Sequence, residues 1–495
     1  MSATATKTTR PQQGGFFGHP RGLSTLFFTE MWERVSYYGM RAILLYYMYS
    51  QLNHGGLGIA QSTAASLMAI YGAAVFMSGV IGGWVADRLL GSQRSIFVGG
   101  VFIMFGHIAL SLPSGGLTAL YLSMVLIVLG TGLLKPNISN VVGDLYPDKG
   151  ARRDAGFSIF YMSTNLGAFV APLVVGALAD HWNYHAGFSF AAFGMAMALV
   201  WYVVGRRSLA GAGQAPANPL TSRERGAAMS RIGGAVGAVA VVLLALRLTG
   251  HLDVQAVVNL ISILAIVLPT GYFIVMLRSE KTTQVERSRL LAYIPLFIAS
   301  VFFWLIEEQG SVVLAIFAAD RTDRHVGSWA VPAAWFQSIN PLAIVLLAPV
   351  FAGLWLRWGR KQPSTPRKFS AGLLFAGLSY LIMMLPGLLF GTSQKVGPFW
   401  LVASFVVVIL GELCLSPVGL SATTKLAPAA FASQTMSLWF LSDAAAQGIS
   451  AQVVGTYNAH SEVTYFGVVG GIVVVAGVVM YLISPAISRR MQGIL

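Results

Sequence analysis

The chain contains 495 residues, of which 56% are hydrophobic and only 10% are charged, and its mean hydropathy is +0.69. Soluble domains carry about 25% charged residues, so this composition excludes a water-soluble fold and indicates a membrane protein. The net charge of +14 does not indicate a nucleic-acid partner, because the basic residues lie in short loops between apolar runs. There they act as orientation signals and contact anionic lipid headgroups.

Fourteen apolar segments each approach or exceed the length of about 20 residues that a helix needs to cross a bilayer. Their apolar runs are continuous rather than alternating, which favours helices over a transmembrane β-barrel. We therefore predict an all-α polytopic protein with fourteen transmembrane helices. The predicted segments are residues 24–50, 62–86, 94–112, 118–142, 155–179, 187–205, 229–249, 255–277, 290–318, 333–356, 370–390, 398–423, 431–456 and 464–486.

The distribution of basic residues predicts the orientation of these helices. Most of the 32 lysines and arginines lie in the two termini and in the loops on the same side. By the positive-inside rule, both termini are predicted to be cytoplasmic. Residues 1–22 are polar and lack the apolar core of a cleavable signal peptide, so the first membrane helix is expected to direct insertion.

Two connectors divide the predicted helices into groups of six, two and six. A linker rich in Gly, Ala and Pro covers residues 211–225, a charged connector covers 278–289, and the two helices between them are almost free of polar residues. This order is typical of transporters built from parallel repeats, whose substrate site lies between the halves. The predicted division is a cytoplasmic segment 1–22, an N-terminal six-helix bundle 23–207, a linker with two extra helices 208–289, a C-terminal six-helix bundle 290–488 and a cytoplasmic tail 489–495.

The first predicted helix carries an unusual number of charges for a membrane segment. At about 100° per residue, one narrow stripe of it contains Glu30, Arg34, Tyr37 and Arg41, flanked by Glu33 and Tyr38. Charged side chains in a membrane helix face the protein interior or a water-filled cavity. One arginine cannot neutralise two carboxylates, so one carboxylate is predicted to carry a proton. A static buried ion network is the alternative interpretation.

A polar pair ends the second predicted helix. Asp87 and Arg88 follow a glycine-rich run that allows close helix approach, and the pair is predicted to latch the cytoplasmic loop. The run from Gly83 to Gly91 resembles the loop motif of the major facilitator superfamily. This resemblance implies a role in gating rather than in substrate contact.

Charged and amide residues in later helices meet the needs of a free peptide. A peptide is a zwitterion, so its site needs a carboxylate for the ammonium group, cations for the carboxylate, adaptable donors for the amide and roomy apolar pockets. The candidates for the ammonium group are Glu412, Asn165 and Asn340, and those for the carboxylate are Arg41 and Lys135.

Aromatic and hydroxyl residues complete the candidate site. Trp304 and Trp439 are predicted to wall its pockets, although the interface belt or the core is an equally good interpretation of both. Asp443 lies near the expected pocket, and its role is open. The other candidate contacts are Tyr37, Tyr38, Tyr71 and Ser442.

The run Glu30-x-x-Glu33-Arg34-x-x-Tyr37-Tyr38-Gly39 resembles the first-helix signature of the proton-dependent oligopeptide transporter family. Further matches to this family lie at residues 70–72, 83–91, 135–137, 157–169, 303–309, 336–341 and 412–425. Bacterial members also carry two extra helices between the halves. The resemblance implies the major facilitator fold and symport of di- and tripeptides with protons across the bacterial cytoplasmic membrane.

The resemblance also implies roles for individual residues. It implies proton coupling by Glu30, Glu33 and Arg34, and two gating salt bridges, Arg41–Glu308 and Lys135–Glu412, which alternately hold and release the halves. We assign Glu308 to extracellular gating and proton coupling. Two positions depart from the family pattern. Val35 replaces the usual phenylalanine, and Gly72 replaces a proton-sensing histidine of animal members, which moves the proton task to carboxylates.

Two other classes of function remain as alternatives. The same fold could carry another solute, such as nitrate or a drug, and a remote alternative is a non-transporting receptor or enzyme. Cys414 is the single cysteine, the eight histidines lie mostly in predicted loops, and neither type indicates a metal site or a catalytic set. We therefore expect no enzyme activity, no cofactor beyond the coupling proton and, because the loops are small, a monomer.

Overall fold

The computed structural model describes residues 15–146, 151–251 and 253–493. These residues are almost entirely helical, and each of the fourteen predicted segments corresponds to a helix of at least 20 residues. A fifteenth, short helix lies within the ninth segment. The helices are α1 Arg21–Tyr49, α2 Gln61–Val85, α3 Ser92–Ser111, α4 Gly116–Asp144, α5 Ala151–His181, α6 Tyr184–Gly205, α7 Ser222–Leu248, α8 Val254–Arg278, α9 Gln284–Glu307, α10 Val313–Asp320, α11 Ile339–Trp358, α12 Thr365–Phe390, α13 Phe399–Leu426, α14 Ala432–Val453 and α15 Glu462–Arg490.

Twelve spans in the described residues are long and apolar enough to cross a membrane. The helices α1 and α14 do not reach this hydropathy, because charged residues interrupt α1 and polar residues interrupt α14. Both helices are nevertheless mostly buried. Their polar side chains therefore lie inside the protein rather than in lipid, as expected for helices that line a site.

The ninth predicted segment is not one continuous helix. Residues 290–318 were expected to form a single span, but α9 ends at Glu307, a 3₁₀ turn covers Glu308–Ser311, and α10 begins at Val313. Gly310 and Ser311 are weaker helix formers than the preceding residues. Because of this break, Glu308 lies in the 3₁₀ turn and not on the side of a regular α-helix.

Both predicted connectors contribute residues to helices. In each case a capping box starts the helix early, with Thr221 and Glu224 at α7 and Thr283 and Glu286 at α9. Such reciprocal bonds satisfy the free amide groups of a first turn. The all-α prediction also has one small exception, a two-stranded hairpin of His325–Val326 (β1) and Trp329–Ala330 (β2) between α10 and α11.

The helices pack in a consistent pattern around the site. Among residues before the linker, α1 packs on α5 and α6, while α4 packs on α2 and α3. Among residues after α8, α12 packs on α13 and α15, and α9 packs on α14. The pairs α2–α14 and α5–α11 join the two groups, and α7 is exposed along its apolar span. The boundaries of the two six-helix bundles and of the linker between them remain predictions.

The two groups of helices are tied together near the C-terminal end of α1. Tyr46 Oη donates a 3.0 Å hydrogen bond to the Ala315 carbonyl, and Gln61 Nε2 donates to Asp320 Oδ2, also at 3.0 Å. At the opposite end of α2 lies a cavity of about 430 Å³ between Trp84 and Ala429 of the α13–α14 turn. A further cavity of about 510 Å³, lined by Tyr46, Tyr49 and Arg324 among others, lies at the α1 end. We refer to the α1 end as the closed end because these hydrogen bonds join the two groups of helices there.

Close approach of α2 and α4 depends on one glycine, which gives a stability prediction. A Cβ atom at Gly82 would lie 1.9 Å from the carbonyl oxygen of Gly132, whereas one at Gly83 would meet no atom within 4 Å. Overpacking costs about 1–3 kcal/mol. We expect Gly82→Ala to lower the melting temperature in detergent, and the matched control Gly83→Ala to leave it unchanged or raise it. Equal melting temperatures for the two variants would contradict this packing.

Candidate functional site

The charged stripe of α1 forms a buried cluster of two carboxylates and one guanidinium group. Arg34 Nε contacts Glu33 Oε2 at 2.5 Å and Glu30 Oε1 at 3.2 Å, and all three residues are at most 4% exposed. The two carboxylates thus share a single nitrogen atom. Within the described ranges, Glu30 Oε2, Glu33 Oε1 and Arg34 Nη2 have no hydrogen-bond partner. This cluster can accept a proton on one carboxylate without losing both ion pairs.

A second ion pair joins α1 to the turn after α9. Arg41 Nη2 contacts Glu308 Oε2, and the two side chains are 9% and 11% exposed. The pair therefore has the geometry predicted for one gating salt bridge, at the closed end of the molecule. A buried ion pair that loses one partner leaves an uncompensated charge, so neutralising Glu308 would favour separation of the two sides.

The other predicted gating pair, Lys135–Glu412, is not formed in the described part of the chain. Lys135 Nζ instead lies 4.8 Å from the ring centroid of Phe76 on α2, and both Lys135 and Glu412 are half-buried. The helix α4 packs on α2 and α3 but not extensively on α13. Closure at the α1 end leaves these two helices apart, so the pairing stays a prediction for another conformation.

Three predicted contacts present unpaired polar atoms in the interior. Asn340 Nδ2 donates to Glu307 Oε1 at 3.1 Å, but Asn340 Oδ1 has no partner among the described residues. Tyr71 Oη and Trp304 Nε1 are also buried without a hydrogen-bond partner in this part of the chain. Buried polar groups are usually hydrogen-bonded, so these atoms mark positions where a ligand or water can bind.

Other predicted contacts are engaged in local structure. The Asn165 side chain donates to the Tyr161 carbonyl at 3.0 Å, and the Ser442 hydroxyl, fully buried, donates to the Trp439 carbonyl at 2.6 Å. The Trp439 ring packs so closely on Gly419 that a Cβ atom there would lie 2.1 Å from it. In this conformation Ser442 and Trp439 are therefore packing residues at the α13–α14 contact.

The two tyrosines of the signature lie next to each other beside Arg34, with ring centroids 5.4 Å apart. The Arg34 guanidinium lies 5.4 Å from the ring centroid of Tyr37 and 5.8 Å from that of Tyr38. Tyr37 is buried and Tyr38 is half-buried. Because aromatic faces attract cations, these rings help to hold Arg34 where both carboxylates reach it.

The predicted cytoplasmic latch, Asp87 and Arg88, is held by contacts with the linker. Asp87 and Arg88 make no ion pair with each other among the described residues. Asp87 is exposed, and Arg88 Nη2 contacts Glu224 Oε1 at 3.2 Å. The linker is further fixed here, because the Asn218 amide donates to the Asp87 carbonyl at 2.9 Å. The loop is therefore secured through the linker, and its gating role stays a prediction.

Sequence reasoning missed a residue that holds the turn carrying Glu308. Gln309 Oε1 accepts hydrogen bonds from Tyr380 Oη and Tyr465 Oη, each at 2.7 Å. Its position next to two glutamates was the available signal, but its partners lie on α12 and α15 and no local pattern predicts them. Glu307, the partner of Asn340, was also missed as a site residue although it belongs to the same run.

A buried ion pair elsewhere was also missed. Arg321 forms a bidentate ion pair with Glu462, with an Nε–Oε2 distance of 2.7 Å and an Nη2–Oε1 distance of 3.1 Å. Its Nη2 also donates to the Gly391 carbonyl at 2.8 Å. This pair is remote in sequence, and it fixes the end of α10 to the start of α15. It is a structural contact rather than part of the site.

Comparison with known proteins places the chain in a family. The profile described as "POT family" matches residues 93–472. An uncharacterised transporter of Bacillus subtilis is 54% identical over 98% of this chain and 97% of its own length. A di-/tripeptide transporter of Lactococcus lactis subsp. cremoris is 46% identical over 97% of this chain and 98% of its own length.

Solved structures agree with these relatives. A peptide transporter POT in complex with sulfate superposes with a TM-score of 0.94 at 56% identity, covering 97% of this chain and 98% of the other. A glutamate-to-glutamine mutant of a peptide transporter POT, in complex with alafosfalin, gives a TM-score of 0.92 with the same coverage and identity. The fold class predicted from the sequence, that of the major facilitator superfamily, is thereby confirmed. The chain belongs to the POT family of membrane transporters.

Proposed function

We propose that this protein is a proton-coupled symporter that imports di- and tripeptides by alternating access. The observation that carries the proposal is the distribution of charge in the interior, in which Arg41 and Lys135 belong to the first group of helices and Glu308 and Glu412 to the second, with Arg41 paired to Glu308. A zwitterion supplies one charge to each side. Relatives named di-/tripeptide transporters support this choice of substrate.

The ligand's two ends are assigned by charge. We place the peptide carboxylate near Arg41 and Lys135, and the ammonium group near Glu412 and Asn340. The unpartnered Asn340 Oδ1 suits an ammonium donor because it is an acceptor. An anion such as nitrate would satisfy the cations and leave the acidic side without a partner, which is why we favour a peptide over the alternative cargoes.

Coupling follows from the need to neutralise buried carboxylates. A proton on Glu308 weakens its attraction for Arg41. A proton on Glu33 or Glu30 removes one of the two ion pairs that Arg34 makes. With both termini in the cytoplasm, the closed end faces outward and the cavity at the opposite end of α2 faces inward. Each unit of charge carried inward then gains about 2.3 kcal/mol per 100 mV of membrane potential. In this proposal the protein works as a monomer in the bacterial cytoplasmic membrane, and protons replace any cofactor.

The direct test uses purified protein in liposomes that contain a pH-sensitive dye and hold an interior-negative potential. We expect dialanine to acidify the interior, and free alanine and sugars to have no effect. Peptide binding without acidification would exclude proton coupling. If dialanine neither binds nor acidifies while nitrate or a cationic drug is transported, the substrate assignment is wrong.

Substitution of one cluster carboxylate separates transport from coupling. Glu33→Gln removes a protonatable group but keeps the shape of the side chain, so we expect exchange of labelled dialanine across the membrane to continue and proton-driven accumulation to be lost. Glu280→Gln, at an exposed loop carboxylate, is the matched control and should accumulate peptide normally. Accumulation at the wild-type level by Glu33→Gln would remove Glu33 from the coupling.

The Arg41–Glu308 pair predicts a non-additive effect on thermal stability. Removing one partner of a buried ion pair lowers the free energy of unfolding by about 3–5 kcal/mol. When two contacting residues are both substituted, the total change differs from the sum of the single changes by about 0.5–3 kcal/mol. We expect Arg41→Gln and Glu308→Gln each to lower the melting temperature of the peptide-free protein, and the double variant to lose less than the sum. Strictly additive losses would show that the contact contributes nothing to the closed end.

A further inference from the structure

One buried carboxylate, Asp443 on α14, has no role in the proposed proton coupling or in the assigned peptide contacts. It is 5% exposed, and Gln447 Nε2 donates a 2.8 Å hydrogen bond to its Oδ1. A single neutral donor does not compensate an ionised carboxylate in a membrane interior, where such groups pair with opposite charges. Asp443 can therefore stay ionised only with a cation nearby.

The packing of α2 against α14 shows where that cation lies. Ser66 Oγ donates a 2.8 Å hydrogen bond to the Ala451 carbonyl. Farther along α2, a Cβ atom at Gly72 would lie 1.6 Å from Gln447 Oε1. Residue numbers thus fall along α14 as they rise along α2, so the helices are antiparallel and Gly72 lies against Gln447.

Continuing the register by one helical turn on each side places Phe76 opposite Asp443, because residues four apart share a face. The Phe76 ring carries the Lys135 ammonium group, with Nζ 4.8 Å from the ring centroid. Lys135 of α4 therefore lies beside the part of α2 that packs against α14 near Asp443, although the two charged groups make no direct ion pair among the described residues. Consistent with this geometry, Asp443 has a larger electrostatic effect on Lys135 than Glu33 or Glu30 has.

The other carboxylates near Lys135 are less able to compensate its charge. Glu30 and Glu33 both contact Arg34 Nε, and the positive charge of Arg34 opposes that of Lys135. Neither Glu412 nor Asp443 makes a direct ion pair with Lys135 among the described residues, but α2, on whose Phe76 ring Lys135 lies, packs on α14. We therefore assign Asp443 of α14 to Lys135 in this conformation.

We propose that Asp443 is the counter-charge of Lys135 across the α2–α14 contact, and that a peptide's carboxylate must displace it in order to bind Lys135. The inference rests on the proposed function. It makes Asp443 a specificity-determining residue, because a Lys135 already neutralised by Asp443 offers no net charge to a simple anion. A ligand that also brings an ammonium group gains attraction on the acidic side and overcomes this competition.

The test compares two ligands that differ only in the carboxylate. Asp443→Asn removes the charge and keeps an oxygen that can accept the Gln447 hydrogen bond. By calorimetry in lipid nanodiscs, we expect Asp443→Asn to bind dialanine about fivefold more tightly than wild type, and to bind alanyl-alaninamide with unchanged affinity. In a Lys135→Gln background, Asp443→Asn should change neither affinity. An equal change for both ligands, or a change that persists without Lys135, would overturn the proposal.

A measurement without ligand separates this inference from the assignment of peptide as the substrate. The melting temperatures of peptide-free wild type, Asp443→Asn, Lys135→Gln and the double variant form a cycle. The double variant should lose less stability than the two single variants together if the charges pair, and additive losses would refute the pairing whatever the protein transports. Failure of wild type to bind dialanine, with a non-additive cycle, would overturn only the substrate assignment.

Discussion

The cost of burying charge in a membrane protein governs the arrangement of this molecule. Ionised side chains inside a bilayer are stable only when they are paired or hydrated, yet α1 alone carries four of them. Arg34 meets this requirement inside α1 by contacting Glu30 and Glu33. Arg41 meets it only across the interface, through Glu308. A charge whose partner belongs to the opposite side makes closure of that end depend on the ionisation of the pair.

The same constraint explains why the fold is rigid at some contacts and adaptable at others. Gln309 fixes the turn after α9 through two tyrosine hydroxyls, and the Arg321–Glu462 pair anchors the end of α10. Elsewhere in the interior, by contrast, buried atoms such as Asn340 Oδ1 and Trp304 Nε1 lack hydrogen-bond partners among the described residues. A substrate can satisfy these atoms without disturbing the contacts that hold the framework.

Much of the architecture could be predicted from the sequence because it depends on length and hydropathy. All fourteen long helices were predicted in place, and the charged stripe of α1 was correctly assigned to the interior. The break after Glu307 was missed, because a short polar run within a long apolar segment gives little local signal. Helix starts were placed late wherever a capping box, such as that of Thr283 and Glu286, recruits charged connector residues.

The candidate site was predictable as a set of residues but not as a set of pairs. The Arg41–Glu308 contact was expected from family resemblance, whereas the Arg88–Glu224 contact and the packing of Gly72 against Gln447 depend on how distant helices meet. Lys135 shows the same limit, since its partner depends on conformation. A sequence indicates which charges must be compensated, and tertiary packing determines by which group.

The most direct test of the account is a structure of the protein crystallised from lipid with dialanine bound between the two groups of helices. The account predicts that the peptide carboxylate lies toward Arg41 and Lys135, and that its ammonium group lies toward Glu412 and Asn340. A peptide bound in the opposite orientation, or outside this space, would contradict the claim that opposite charges on the two sides select a zwitterion.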